Sequence, residues 1–497
     1  MNNTSPQRQP DSSRTPKVWL LLIFIFFGTI YALISLVNHY CFRTYALDLG
    51  AYTNALYDYL RLRTNDSTVF KEIPENLLSD HFDLYLVLFS PFSILFKTYT
   101  LPVIQIASVI LGGYGIYKYF QSRINDLNVH LQFSLWMSVA FFLFYGIYSA
   151  LSYDYHSNVV ASMFVPFLFL FLYQKKWIKA FIILFIICIG KENMALWMCF
   201  VLVGWMWEKR KEKESLIPLS ALFIFSLAYF LIITKFVMPH LSNEGKFYQF
   251  KYSVLGHNYT SAIHYLLTHP VEALKLLFIN HTNNSKADFV KAELHIFLLI
   301  SGLWALFFKP HYLVMIIPVY FQKLYHDNYL IWSIDAQYSV EFAPILTIGA
   351  GEFFLSLKNK KNAVRFAVVL CILNLICTIR LMDRTIVFTN KSRIRFYQSS
   401  HYTRTFNIQN VYAAIQTIPE TSIVSAQTSI LPHLALRDKI YCFPIIKDAE
   451  YIVLNTKDDT YPLDTTAYKQ QVNLIFSDTL HWKISFQKQS VIVFKRK

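Results

Sequence analysis

Apolar runs close to the roughly 20 residues that cross a bilayer recur along the first three quarters of this 497-residue chain, and short basic turns separate them. In hydrocarbon every backbone N–H and C=O must find an internal partner, so such runs fold as helices. Only 15% of the residues are charged, where a soluble domain carries about 25%, and 55% are apolar. The chain reads as an α-helical polytopic membrane protein. Its formal charge is +15, from 46 Lys and Arg against 31 Asp and Glu. Much of that excess lies in the short turns, so it reports topology and does not point to nucleic acid.

The basic turns orient the chain. The amino-terminal stretch is polar with Arg8 and Arg14, and the first apolar run, about 18–37, is too long and too poorly flanked for a cleaved signal peptide. Positive residues favour the cytoplasm, which predicts a cytoplasmic tail over 1–17. Lys118 with Arg123, Lys175 with Lys176 and Lys179, Lys209 to Lys213, Lys309, and Lys358 to Arg365 then mark the returns to that side. The pattern predicts about eleven spans within 18–381, with external loops at 38–100 and 239–292. The apolar runs 181–207 and 312–324 are short for their places, as expected of tilted, broken or protein-buried helices.

Past 382 the composition becomes mixed. Strands are expected at 422–425, 451–454 and 491–494, with helices at 411–415 and 466–472. Trp482, Ile484 and Phe486 alternate with polar residues before a turn at 487–490, a hairpin signal. This predicts a small extracytoplasmic α/β domain over 382–497, without a glycine-rich phosphate loop. Six cysteines show no metal spacing, and a Cys41–Cys442 bridge is the only disulfide the topology would allow.

Polar residues expected at the external face carry whatever chemistry the chain has. Asp48, about ten residues beyond the first span, either caps the stretch 49–60 or acts as a general base. His81 and Asp83, two apart and preceded by the helix-capping types Ser79 and Asp80, take either a capping and interface role or a place in an active site. Asp154 and His156 share a tight turn and suit a phosphate or, with a further ligand, a divalent cation. Lys191 and Glu192 interrupt one long apolar run. At bilayer depth each ionised group costs about 2.5–3.5 kcal/mol, so they imply a helix-hairpin tip or a polar cavity. There Lys191 either pairs with Glu192 or neutralises a phosphate. His326, Asp327, Asp335, Gln337 and Tyr338 read as a solvated loop, and the amphipathic spacing of Ile263, Leu266 and Leu267 suggests a helix at the membrane surface.

In order and spacing, Ala46-Leu-Asp-Leu-Gly-Ala-Tyr-Thr-Asn-Ala-Leu56, His81-Phe-Asp83 leading to Ser90-Pro91, Asp154-Tyr-His156, Gly190-Lys-Glu192 and Leu431-Pro-His-Leu-Ala-Leu-Arg437 resemble a bacterial and archaeal membrane family, domain of unknown function 2079. That family in turn looks like a branch of the GT-C superfamily of membrane glycosyltransferases. The resemblance implies a GT-C-like fold in the bacterial cytoplasmic membrane. It also implies transfer of a hexose or pentose from a polyprenyl-phosphate donor to a glycan or lipid acceptor at the external face. Asp48 falls at the superfamily's catalytic acidic position in the first external loop. Arg43, His81, Asp83, Asp154, His156, Lys191, Glu192 and Tyr338 become the expected substrate-binding residues. Asp154, His156 and Glu192 are the candidate ligands for a divalent cation, although the first loop lacks a clear Asp-x-Asp pair. The rival readings are a transporter or flippase of a lipid-linked or polar solute, and a non-catalytic membrane scaffold. The transporter predicts charges strung along several spans and a repeated half, and neither is visible.

Overall fold

The computed structural model describes residues 14–124 and 127–497, without the side chains of 14–16 and 127–130. The expected amino-terminal tail therefore lies outside the described residues, apart from its last four. Helix α1 (Arg14–Tyr40) is apolar on nearly every face and leads to the Asp48 loop. Among the described residues five helical stretches are long and apolar enough to cross a bilayer: Lys17–Tyr40, Tyr85–Gln121, Lys213–Leu241, Ser285–Leu306 and Lys360–Asp383. A sixth forms if Leu131–Phe142 and Tyr145–Leu151, bent by 46°, count as one span. By length and composition this is fewer than the eleven or so expected. Of the shorter apolar helices, Ser157–Tyr173 and Phe342–Ser356 are largely enclosed by protein, while Trp177–Gly190 leaves Ile178, Phe181, Ile182 and Phe185 exposed. The chain is a multi-pass membrane protein.

The break expected at Lys191 is present. Helix α2 (Trp177–Gly190) stops there and α3 (Glu192–Glu208) restarts, with Lys191 itself extended at φ −166° and ψ 148°. Gly190 is required for the approach, since a Cβ would stand 2.7 Å from the Tyr85 ring and 3.1 Å from Ala161. Fourteen residues of helix at 1.5 Å each separate Lys176 from Lys191 by about 20 Å. The two residues thus mark opposite ends of the bundle. The basic turns meet at the Lys176 end, where Lys175 pairs with Glu212 at 3.0 Å and Arg123 with Glu352 at 2.5 Å. A small cavity lined by Arg123, Tyr173, Lys209, Lys309 and His311 lies there too. Helix α4 (His311–Leu324) packs along α3, and the Trp197 indole N–H donates to the Met315 carbonyl at 3.0 Å.

At the Lys191 end the carboxyl-terminal segment builds a five-stranded mixed sheet in the order β4-β3-β5-β7-β6. Its strands are β3 (Val424–Ala426), β4 (Ile440–Cys442), β5 (Tyr451–Asn455), β6 (Trp482–Lys488) and β7 (Val491–Arg496). Two short strands earlier in the chain, β1 (Asp66–Ser67) and β2 (Glu75–Asn76), form a separate ribbon. Helices α5 (Ile408–Gln416) and α6 (Thr465–Ser477) cover the sheet. Strands β3, β5 and β7, both helices and the β6–β7 hairpin fall where the alternation places them; β4, three buried residues between turns, carried no readable period.

The first loop is welded to this sheet. Phe42, Ala46, Ala51 and Val69 share one apolar core with Val411, Val424, Leu431, Ile440 and Val493. The Cys442 N–H donates to the Val69 carbonyl at 2.7 Å, and Thr68 Oγ1 to the Ile440 carbonyl at 3.0 Å. Cys41 and Cys442 are both buried and both free, so the suggested bridge is absent; packing holds the two segments instead. Asp335 departs from the solvated-loop reading as well. It is buried, 2.6 Å from Lys391 Nζ, and accepts from Thr385 Oγ1 at 2.6 Å.

Candidate active site

Asp48 sits in a wide helical turn, Ala46–Gly50, closed by an i→i+5 bond from the Gly50 N–H to the Tyr45 carbonyl at 3.0 Å. Such turns widen a helix by one residue and re-aim its side chains. The Asp48 carboxylate accepts no backbone N–H, which removes the capping reading. It is 36% exposed while protein surrounds it, so it faces a recess. His156 Nε2 stands 3.6 Å from Asp48 Oδ1. The ring is fixed from behind, because Nδ1 can only donate to the Asp154 carbonyl, at 3.0 Å, and the His156 N–H donates to Gln105 Oε1 at 2.8 Å. Burial pushes the Asp48 carboxyl up, but the fields of His156, Lys191 and His81 outweigh it and hold its pKa below the ordinary 3.8.

His81, on the next turn of the loop, places Nδ1 3.1 Å from Glu192 Oε1, while Glu192 Oε2 accepts the Phe82 N–H at 3.1 Å. Glu192 opens α3, where the helix dipole favours a carboxylate. The pair orients His81 and leaves its Nε2 unspent. Lys191 forms no ion pair among the described residues, yet it lies in the fields of Asp48, Asp83, Glu192 and Glu341. The helix break delivers an ammonium without an ion pair among the described residues into the field of Asp48, whose own partner is His156. Tyr338 and Tyr52 also lie in the field of Asp48.

Three expected site residues do other work. Asp83 caps the following helix, accepting the Tyr85 N–H at 2.9 Å, and burial pushes its carboxyl up to about 8. Asp154 accepts the Tyr45 N–H at 2.7 Å on Oδ2 and meets Arg393 Nη2 at 3.1 Å on Oδ1, so both of its oxygens are taken. Burial raises it to about 6 against the pull of Arg393. Arg43 spends its guanidinium on the carbonyls of Ser400, His401 and Thr403, 2.5–2.9 Å away, which ties the end of α1 to the segment before α5. It is not free to meet a phosphate. Asp154, His156 and Glu192 do not form a ligand set, and among the described residues no three His, Cys, Asp or Glu stand together closely enough to hold a metal ion. The donor set does not fit a resident cation.

A family model described as "Predicted membrane protein (DUF2079)" matches residues 38–493. The chain belongs to that family. The match begins two residues before the end of α1 and ends within β7, so in this DUF2079 chain the Asp48 loop, the helix break and all of the sheet but the end of β7 lie within the matched residues. No curated protein matches. Among solved structures, the crystal structure of ArnT from Cupriavidus metallidurans bound to undecaprenyl phosphate is similar at 11% identity and a TM-score of 0.49, over 96% of this chain and 98% of that one.

Arg393, Gln105, Lys391 and Glu341 escaped the sequence reading. Arg393 lies in a polar stretch with no period and meets Asp154 across 239 positions. Gln105 offers one weak signal, a lone amide inside an apolar run that needs a partner.

Proposed function

We propose that this DUF2079 protein is a GT-C-type glycosyltransferase that moves a sugar from a polyprenyl-phosphate donor to an acceptor at the external membrane face. One observation carries the reading: Asp48, ionised and partly exposed with His156 as its ion-pair partner, lies in the fields of the oriented His81 and of Lys191, which forms no ion pair among the described residues. That combination matches the two charge changes of glycosyl transfer. The acceptor hydroxyl gives its proton to Asp48 as its oxygen attacks the anomeric carbon. The bond from that carbon to the phosphate oxygen breaks, and the electron pair leaves with the lipid phosphate beside Lys191 and His81 Nε2. Attack and departure on opposite faces invert the anomeric centre. Charge grows on the phosphate as the bond breaks, so a nearby ammonium stabilises the transition state more than the ground state. A base of low pKa takes the proton late, once the attacking oxygen has become acidic. The basic turns at the opposite end support an external position for the recess and the sheet.

The test is a deletion strain complemented with wild type or Asp48→Asn. We expect a surface glycan or lipid-linked sugar to disappear on deletion and to return with wild type. Asp48→Asn should lower the transfer rate by roughly 10²–10⁴-fold at equal membrane abundance. Full restoration by Asp48→Asn would remove Asp48 from catalysis and favour the transport or scaffold readings.

A further inference from the structure

The loop between β5 and α6 reaches from the sheet to the recess. Gln427 pins it: Oε1 accepts the Asn455 N–H at 2.6 Å and the Tyr468 hydroxyl at 3.0 Å, while Nε2 donates to the Asp459 carbonyl at 2.6 Å. Next to it, Thr428 Oγ1 accepts the Ala46 N–H at 3.4 Å, two positions from Asp48. The loop therefore cannot drift away from the catalytic turn. At its tip Tyr461 is 47% exposed and lies in the field of Asp48. Its ring meets half-buried Phe70 of the first loop, with centroids 6.1 Å apart and planes at 64°. Asp459, exposed, accepts the Tyr461 N–H on Oδ1 at 3.0 Å and keeps Oδ2 free. Two rings from different segments, braced edge to face beside a spare carboxylate oxygen, sit at the seam where loop and sheet join.

A pyranose ring presents the complementary surface, an apolar face of C–H groups with hydroxyl donors around its rim. The face packs on an aromatic ring and a rim hydroxyl donates to a carboxylate. A lipid acceptor without a sugar would leave the free Oδ2 of Asp459 unused. We propose that Tyr461 and Phe70, with Asp459, form the subsite for the acceptor's terminal sugar, so that the acceptor is a glycan. The proposal rests on the transferase reading of Asp48 and names what that base deprotonates. Tyr461 and Phe70 grip the ring, and Asp459 fixes its rotation so that one hydroxyl points to Asp48.

Saturation-transfer NMR on the full chain in detergent, with methyl glycosides of common hexoses and pentoses as probes, tests it. Saturation should reach the C–H face of at least one glycoside. It should fall about five- to tenfold in Tyr461→Ala and persist in Tyr461→Phe, since the ring and not the hydroxyl makes the contact. Asp459→Asn should keep ring contact and weaken it less. Asp48→Asn should leave the signal intact, so that a failure of the catalytic reading and a failure of the subsite are separable. No transfer to any glycoside, or an undiminished signal in Tyr461→Ala, would overturn the proposal. So would transfer from Tyr461 to added phospholipid headgroups alone, which would make the ring a bilayer-surface anchor.

Discussion

Asp48 and Asp83 lie in one site and titrate in opposite directions. Cationic neighbours outweigh burial at Asp48, while at Asp83 burial wins and raises the carboxyl from 3.8 to about 8. The linkage follows from the sign. Between those values folded Asp83 keeps a proton that the unfolded chain has lost, so its stabilisation is fully present below about pH 4 and fades as pH rises to 8. Asp48 runs the other way. Its contribution is present above 3.8 and is lost only as pH falls through its lower folded value, so it adds no slope in that window. Asp83→Asn, which keeps the Oδ1 acceptor for the Tyr85 N–H, should flatten the decline of Tm between pH 5 and 8. Melting of the detergent-solubilised protein at stepped pH measures this, and an unchanged slope would assign the decline to other groups. In the sequence the acidic residue types were legible but their division of labour was not. A carboxylate's role here depends on which cations stand near it, and those come from Lys191, His156 and His81 on separate elements.

The helix break illustrates what a sequence carries at the level of an element. Lys191 and Glu192 in an apolar run can be accommodated only where the helix opens, and α2 and α3 part there. The tie between Asp154 and Arg393 had no such local signature, because neither flanking stretch has a period and the partners are far apart in sequence. Arg393 also lies over the rings of Tyr153 at 4.5 Å and Tyr45 at 5.2 Å. Arg393→Met would strand a buried carboxylate beneath the Asp48 turn. We expect a loss of about 3–5 kcal/mol, with Arg393→Met plus Asp154→Asn less damaging than Arg393→Met alone. Thermal unfolding of the three variants checks this, and strict additivity would deny the coupling.

Across the whole molecule, the end-to-end polarity can be read chemically. All six cysteines are buried, so the native chain should react little with a membrane-impermeant thiol reagent. Leu62→Cys in the first loop and Leu480→Cys before β6, at sites 96% and 76% exposed, should label together from outside intact cells. Lys360→Cys, at the start of the last long helix, should label only after permeabilisation; labelling of Lys360→Cys alone from outside would reverse the proposed topology. Alternation of apolar and basic segments made this polarity legible, but the number of true spans was not. Enclosure by protein lets a helix be shorter than the bilayer, and hydropathy does not report enclosure. The shared core has one further consequence, for the timing of biogenesis. The bond from Ala46 to Thr428 bridges 382 positions, so a ribosome adding 5–20 residues per second inserts the Asp48 turn roughly 20–80 s before its support exists. Through that interval Phe42 and Val69 stand without their apolar partners from the sheet. A nascent or prematurely terminated chain therefore holds the Asp48 turn without the sheet that supports it, until translation has passed Thr428.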